Sequence, residues 1–149
     1  MKRRPGQIAM LVSGGLFAGG AASIAWERLP AWRAMELAEF RVAFAHTLRR
    51  VDRLQPGLLV VCIGSTIGFA LSAGGTTQTL GLVAAGGFFV VLVGSGARLV
   101  PIQRRLVSSR AELSPPEGER LRDQWLRGHL IRTVVALAAL VLAVVAASS

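Results

Sequence analysis

Apolar residues gather into long runs along this chain, and charge is confined to the stretches between them. Residues 55–97 contain no charged residue at all. One buried core helix does not need so long a run, and a soluble loop does not tolerate it. A bilayer-crossing helix needs roughly 20 apolar residues, so the run is long enough to cross twice. The whole chain divides into four spans, at about 8–26, 57–72, 79–97 and 128–147. Between spans two and three lies S-A-G-G-T-T-Q-T, with Gly74 and Gly75 as helix breakers. Strict apolar and polar alternation is absent, which disfavours a barrel, and hydrocarbon requires every backbone group to be satisfied internally. The expectation is an all-α integral membrane four-helix bundle, one domain over residues 1–149.

The stretches between spans carry their own periodicity. Over residues 31–54, Leu37, Phe40, Phe44, Leu48 and Val51 recur at helical spacing. Glu39, His46, Arg50 and Arg53 occupy the other face, with His46 read as a solvated surface residue. The pattern is that of an interfacial amphipathic helix between spans one and two, in the headgroup plane or over the bundle mouth. Further on, S-P-P-E puts Ser114 at a helix N-cap, Pro115 at the first helical position and Glu117 three residues after the cap. That helix is expected to run from Pro115 straight into the last span. Its first turns offer the pairs Glu117 with Arg120, Glu119 with Arg122 and Asp123 with Arg127.

Composition agrees with a membrane protein. Charged residues are 17% of the chain, against about 25% in soluble domains. The single cysteine, Cys62, cannot form an internal disulfide and reads as a small apolar packing residue. Lys2, Arg3 and Arg4 before an apolar run also fit a signal peptide, but the rest of the chain offers no soluble domain to export. The net charge of +9 invites nucleic-acid binding, and its distribution argues against it. Six arginines lie within residues 28–53 and seven within 98–127, while the turn at 72–79 has none. Arginines flanking spans mark cytoplasmic segments. The segments 28–55 and 98–127 are therefore placed in the cytoplasm and both termini outside, in a multi-pass protein of the plasma (inner) membrane. The arginines would contact anionic lipid headgroups.

Small residues repeat every four positions at Gly15, Gly19 and Ser23, and again at Gly64, Gly68 and Ser72. Gly87 and Gly94 are seven apart. This spacing predicts close helix approach within the bundle, or contact with a second copy or a partner membrane protein. Glu27, four residues after Ser23, falls on the first of these faces. It reads as an interfacial acid paired with Arg28, or as a proton-handling or substrate-contacting group inside the bundle.

Candidate chemistry concentrates in W-L-R-G-H-L-I-R, residues 125–132. Trp125, His129 and Arg132 are spaced four and three apart, which predicts one face and one shared cavity. Arg132 is the only charge inside the last span, and an arginine facing lipid costs several kcal/mol, so it should face the bundle or snorkel. The plain reading makes Trp125 an interfacial anchor and His129 an interfacial hydrogen-bonder. The functional reading makes His129 a base beside a fixed cation. Metal-ligand clusters and a nucleotide-binding loop are both missing from the sequence, so no metal and no cofactor are expected.

The stretches L-F-A-G-G (residues 16–20), Leu29-Pro30, Glu39-Phe40, P-I-Q-R-R-L (101–106) and W-x-x-x-H-x-x-R at Trp125, His129 and Arg132 resemble the anthrone oxygenase-like family. These are small four-helix membrane proteins of bacteria and fungi, many of unknown function. The family usually has P-I-N, where Gln103 here keeps the amide one methylene further out. The resemblance implies oxidation of anthrones to anthraquinones by molecular oxygen without metal or flavin. In that chemistry His129 takes a proton from the activated ring carbon. Arg132 stabilises the oxyanion. Trp125 stacks on the aromatic substrate, with Glu27 and Gln103 also contacting it. The alternative is a non-catalytic membrane protein that binds a lipid, a quinone-like molecule or a partner.

Overall fold

The computed structural model describes residues 6–51, 54–108 and 113–149, and among them every element is helical. In chain order these are α1 (Gln7–Ser23), α2 (Leu29–Ala34), α3 (Leu37–Val51), α4 (Gln55–Leu71), α5 (Gly75–Gly94), α6 (Val100–Val107) and α7 (Pro115–Ser148). Three continuous helical stretches are long and apolar enough to cross a membrane: Gln7–Ala34 with 28 residues, Gly75–Val107 with 33 and Pro115–Ser148 with 34. α4 is equally apolar but has 17 residues, the short end of the spanning range. α1 packs on α4, α4 on α5, α5 on α7 and α7 back on α1, so four helices close into a ring. α2, α3, α6 and the first turns of α7 gather at one end, with the arginines.

Two of the long stretches change pitch. Ile24–Arg28 and Ser95–Leu99 are π-helical turns, each ending two residues before a proline, Pro30 and Pro101. Proline lacks an N–H, and its ring collides with the carbonyl four residues back. Widening the preceding turn relieves that collision without breaking the helix. Leu29 N–H accordingly reaches back five residues to the Ile24 carbonyl, and Val100 N–H to that of Ser95. The helices therefore continue past the expected ends of spans one and three. Residues 31–34 finish the first long helix, and the amphipathic helix begins only at Leu37.

The core has three tiers. Trp32, Phe40, Phe44, Leu48, Trp125 and Leu126 fill the arginine-rich end. Phe17, Leu59, Cys62, Phe88 and Ala136 fill the middle. Met10, Phe69, Ala84 and Ala143 fill the far end. The apolar stripe of α3 thus packs onto α2 and α7 as a lid over the bundle mouth, with His46 exposed on its outer side. Cys62 is a buried packing residue.

The expected small-residue faces are corrected. A side chain added at Gly15, Gly19, Gly64, Gly68 or Gly94 would meet nothing within 4 Å. Those stripes look outward, because the bulkier Phe17, Leu59, Phe69 and Phe88 take the inner faces of the same helices. Close approach occurs elsewhere. A Cβ at Gly81 would lie 2.8 Å from Ala70 Cβ, and one at Gly87 2.9 Å from Ala139 Cβ. Of the expected positions, Gly87 alone serves helix packing.

The polar end is held by arginines capping helix C-termini, where unsatisfied carbonyls and the helix dipole favour cations. Arg41 donates from Nε to the Leu106 carbonyl (2.8 Å) and from Nη2 to that of Ser108 (2.7 Å), closing α6. Arg122 donates from Nη1 to the Met35 carbonyl (2.7 Å) at the break between α2 and α3. Arg122 is thus drawn to a free carbonyl instead of to Glu119. Glu117 pairs with Arg105 of α6 at 2.5 Å, not with Arg120. Ser114 does occupy the N-cap of α7, without a side-chain capping bond. Lys2, Arg3, Arg4, Arg53 and Arg110 lie outside the described residues, as does the side chain of Arg50.

The glycine geometry predicts that Gly81→Val overpacks the α4–α5 contact and costs about 1–3 kcal/mol. Gly64→Ala, on an open face, should stay within about 0.5 kcal/mol of wild type. Thermal unfolding in detergent measures both. Equal losses would contradict the assignment of inner and outer faces.

Candidate functional site

Helical pitch decides what α7 presents. Residues four apart fall almost in line, but three apart are rotated by about 60° at 100° per residue. The buried stripe of α7 runs through Trp125, His129, Thr133 and Ala136. Arg132 sits at its edge and is half-buried. The two candidate residues therefore point into different surroundings, and the expected single cavity is corrected to two compartments.

Arg132 leans between helices. Its Nη2 donates to Oε1 of Gln55, the first residue of α4 and itself buried. Its guanidinium carbon lies 5.7 Å from the centre of the Phe17 ring on α1, within cation–π range. Two cavities meet it. The larger, about 380 Å³, lies among α1, α4, α5 and α6, with Phe17, Leu59 and Leu92 as apolar walls and Gln55, Gln103 and Arg104 as polar ones. The smaller, about 220 Å³, lies between α5 and α7. Ser95, Leu99 and Arg132 line both. The Ser95 hydroxyl oxygen is buried without a hydrogen-bond partner.

His129 lines neither cavity. Its side chain is 1% exposed and stacks on Trp125, with ring centres 4.9 Å apart and planes 18° from parallel. Its Nε2–H donates to the Ala21 carbonyl at 3.1 Å. That carbonyl lies one turn before the widened segment of the first long helix, where Ile24 N–H is shared between the Gly20 and Ala21 oxygens. The bond commits Nε2 as donor and leaves Nδ1, buried and without a partner, as the nitrogen able to take a proton. Trp125 continues the aromatic cluster, edge-on to Phe44 at 4.7 Å and to Trp32 at 5.9 Å. It is 3% exposed, a buried residue in place of the expected interfacial anchor or substrate platform.

Leu99 packs with Trp125 in the aromatic cluster and lines both cavities. Its methyl group lies 2.5 Å from where a Cβ at residue 128 would be. Gly128 provides its seat.

The remaining candidates divide. Gln103 lines the larger cavity together with Arg132. Glu27 does not enter the bundle. It is exposed and lies 3.5 Å from Arg28, the interfacial pairing the sequence offered, and Gly19 and Ser23 before it are exposed as well. Gln55, Ser95 and Phe17 were not singled out from the sequence. For Gln55 a signal was present: it is an amide at the threshold of a long uncharged run. Among the described residues no group of three or more His, Cys, Asp or Glu stands close enough to hold a metal ion.

A family model for anthrone oxygenase matches residues 44–142, about two thirds of the chain. The matched part includes Gln55, Ser95, Gln103, Trp125, His129 and Arg132. No curated protein and no solved structure matches the chain.

The Arg132–Gln55 bond is charge-assisted, and such bonds contribute about 1.5–3 kcal/mol. Gln55→Leu should lower stability by that order. A double-mutant cycle with Arg132→Met should give a coupling of at least about 0.5 kcal/mol. Strictly additive losses in unfolding measurements would show that the two side chains do not interact.

Proposed function

This chain belongs to the anthrone oxygenase family, and we propose that it oxidises a lipophilic aromatic substrate with molecular oxygen inside the membrane. The observation that carries the reading is Arg132, a partnered cation set in the wall of a largely apolar cavity. In low dielectric a fixed cation strongly favours a developing oxyanion. An anthrone seated there points its carbonyl oxygen at the guanidinium. Phe17, Leu59 and Leu92 flank its rings, and Gln103 offers an amide nearby. Loss of a proton from the ring methylene moves negative charge onto that oxygen. The electron-rich ring then reacts with O2. The methylene becomes a carbonyl, with one oxygen atom entering the quinone and the other leaving as water with the two hydrogens.

His129 is the base in this reading. Its Nε2 is occupied by Ala21, so Nδ1 takes the proton. In this reading Leu99, which clusters with Trp125 and lines the cavity, moves aside for the seated substrate and opens the way to His129. Trp125 then acts by fixing the imidazole plane, not by stacking on substrate. Glu27, exposed beside Arg28, has no part in this step.

α4 completes the fourth crossing in this reading, and the arginine-rich end faces the cytoplasm of the plasma membrane. A second reading, in which the same cavity binds a lipid or quinone-like molecule without turnover, is favoured by the burial of His129 away from the cavity lining.

Oxygen uptake and quinone absorbance with a simple anthrone distinguish the two. Purified protein in detergent should exceed the spontaneous rate of a protein-free control. Arg132→Met should lose about 10²–10³-fold of the catalysed rate, and His129→Gln about 10²–10⁴-fold, with unfolding curves checking that each variant is folded. Wild-type rates equal to the control would leave the binding reading. Full activity in His129→Gln would remove the base assignment.

A further inference from the structure

We infer that the smaller cavity, between α5 and α7, is a dioxygen port that delivers O2 from the bilayer side to the seated substrate, on the Leu99 side where its methylene reacts. The inference rests on the oxidative reading of the larger cavity. In that reading an aromatic ligand fills the larger cavity and blocks that approach to the reacting carbon. A second approach exists. Ser95, Leu99 and Arg132 line both cavities, so the smaller one adjoins the substrate cavity at these three side chains.

Its size and chemistry suit a small apolar molecule. It is about 220 Å³, and Val90, Gly94, Ile131 and Val135 form its walls. Val90 and Ile131 are among the most exposed apolar residues of α5 and α7, so the walls continue onto the lipid-facing surface. Dioxygen is apolar and dissolves better in hydrocarbon than in water, and the bilayer is therefore its natural source. Gly94 keeps the passage clear: a Cβ there would meet nothing within 4 Å. Arg98 is the other charged residue in the lining and is exposed. A side chain at residue 94 would narrow the cavity without colliding with the bundle.

Xenon, an apolar gas, is the probe. Xenon NMR on detergent-solubilised protein should show a saturable site in wild type that weakens in Gly94→Ala and disappears in Gly94→Leu. In steady-state assays with an anthrone, Gly94→Leu should raise the KM for oxygen several-fold and leave the KM for anthrone unmoved. A xenon site unchanged in Gly94→Leu, or an oxygen KM that does not rise, overturns the port. So does a phospholipid that copurifies with wild type, is lost in Gly94→Leu and excludes xenon, since the cavity would then hold an acyl chain with its phosphate near Arg98. If no anthrone is oxidised, the oxidative reading and oxygen's role fall together. The xenon titration still decides separately whether the cavity admits an apolar gas.

Discussion

A guanidinium set among apolar helices needs partners from the protein, because an unpaired charge taken out of water is costly. Meeting that demand for Arg132 organises the middle of this bundle. α7 supplies the cation, α4 supplies the Gln55 carbonyl oxygen, and α1 supplies the face of Phe17. α5 lines the space on either side through Ser95 and Leu99. All four helices of the ring therefore meet at one charge. Gln55 begins its helix at the boundary between the charged and uncharged parts of the chain, which puts its amide at the depth Arg132 reaches.

The prolines set the second level of organisation. Each widened turn changes the register of its helix just above the arginine-rich end, and each faces a functional group of α7. The first presents the Ala21 carbonyl to His129. The second contributes Ser95 and Leu99. Widened turns are common at functional sites because they alter which backbone and side-chain groups point inward. Leu99, from the second turn, sits close to α7 because Gly128 there has no side chain.

The sequence made the architecture legible where one physical rule dominated. An uncharged run of 43 residues, 55–97, reads as apolar helix, turn and apolar helix, and α4 and α5 form there. The α3 stripe was readable because aromatic residues at helical spacing have one place to go, and Phe40 and Phe44 are fully buried. The misreadings share a cause: competition between residues that spacing alone does not rank. Gly15 and Gly19 have the spacing of a packing face, but Phe17 on the same helix has more apolar surface to bury and turns them outward. Glu119 has the spacing to bind Arg122, but the Met35 carbonyl is an orphan acceptor at a helix end. Glu27 pairs with Arg28, the plainer of its two readings, and its place inside the bundle fails because the whole small-residue face turns outward. His129 and Arg132 were found, and their separation follows from the three residues between their positions, which rotate them about 60° apart on α7.

The two ends of the bundle differ in how they are packed, and the site lies between them. Toward the far end, α7 buries only alanines, at Ala136, Ala139, Ala143 and Ala146. These let backbones approach closely and leave little volume to rearrange. Toward the arginine-rich end the core is aromatic, with Trp32, Phe40, Phe44 and Trp125 meeting mostly edge-on. Alanine packing leaves little room between helices. The aromatic end is closed by α3, which lies outside the ring of four helices. The cavities lie between these two zones, with Arg132 and Leu99 in the walls of both.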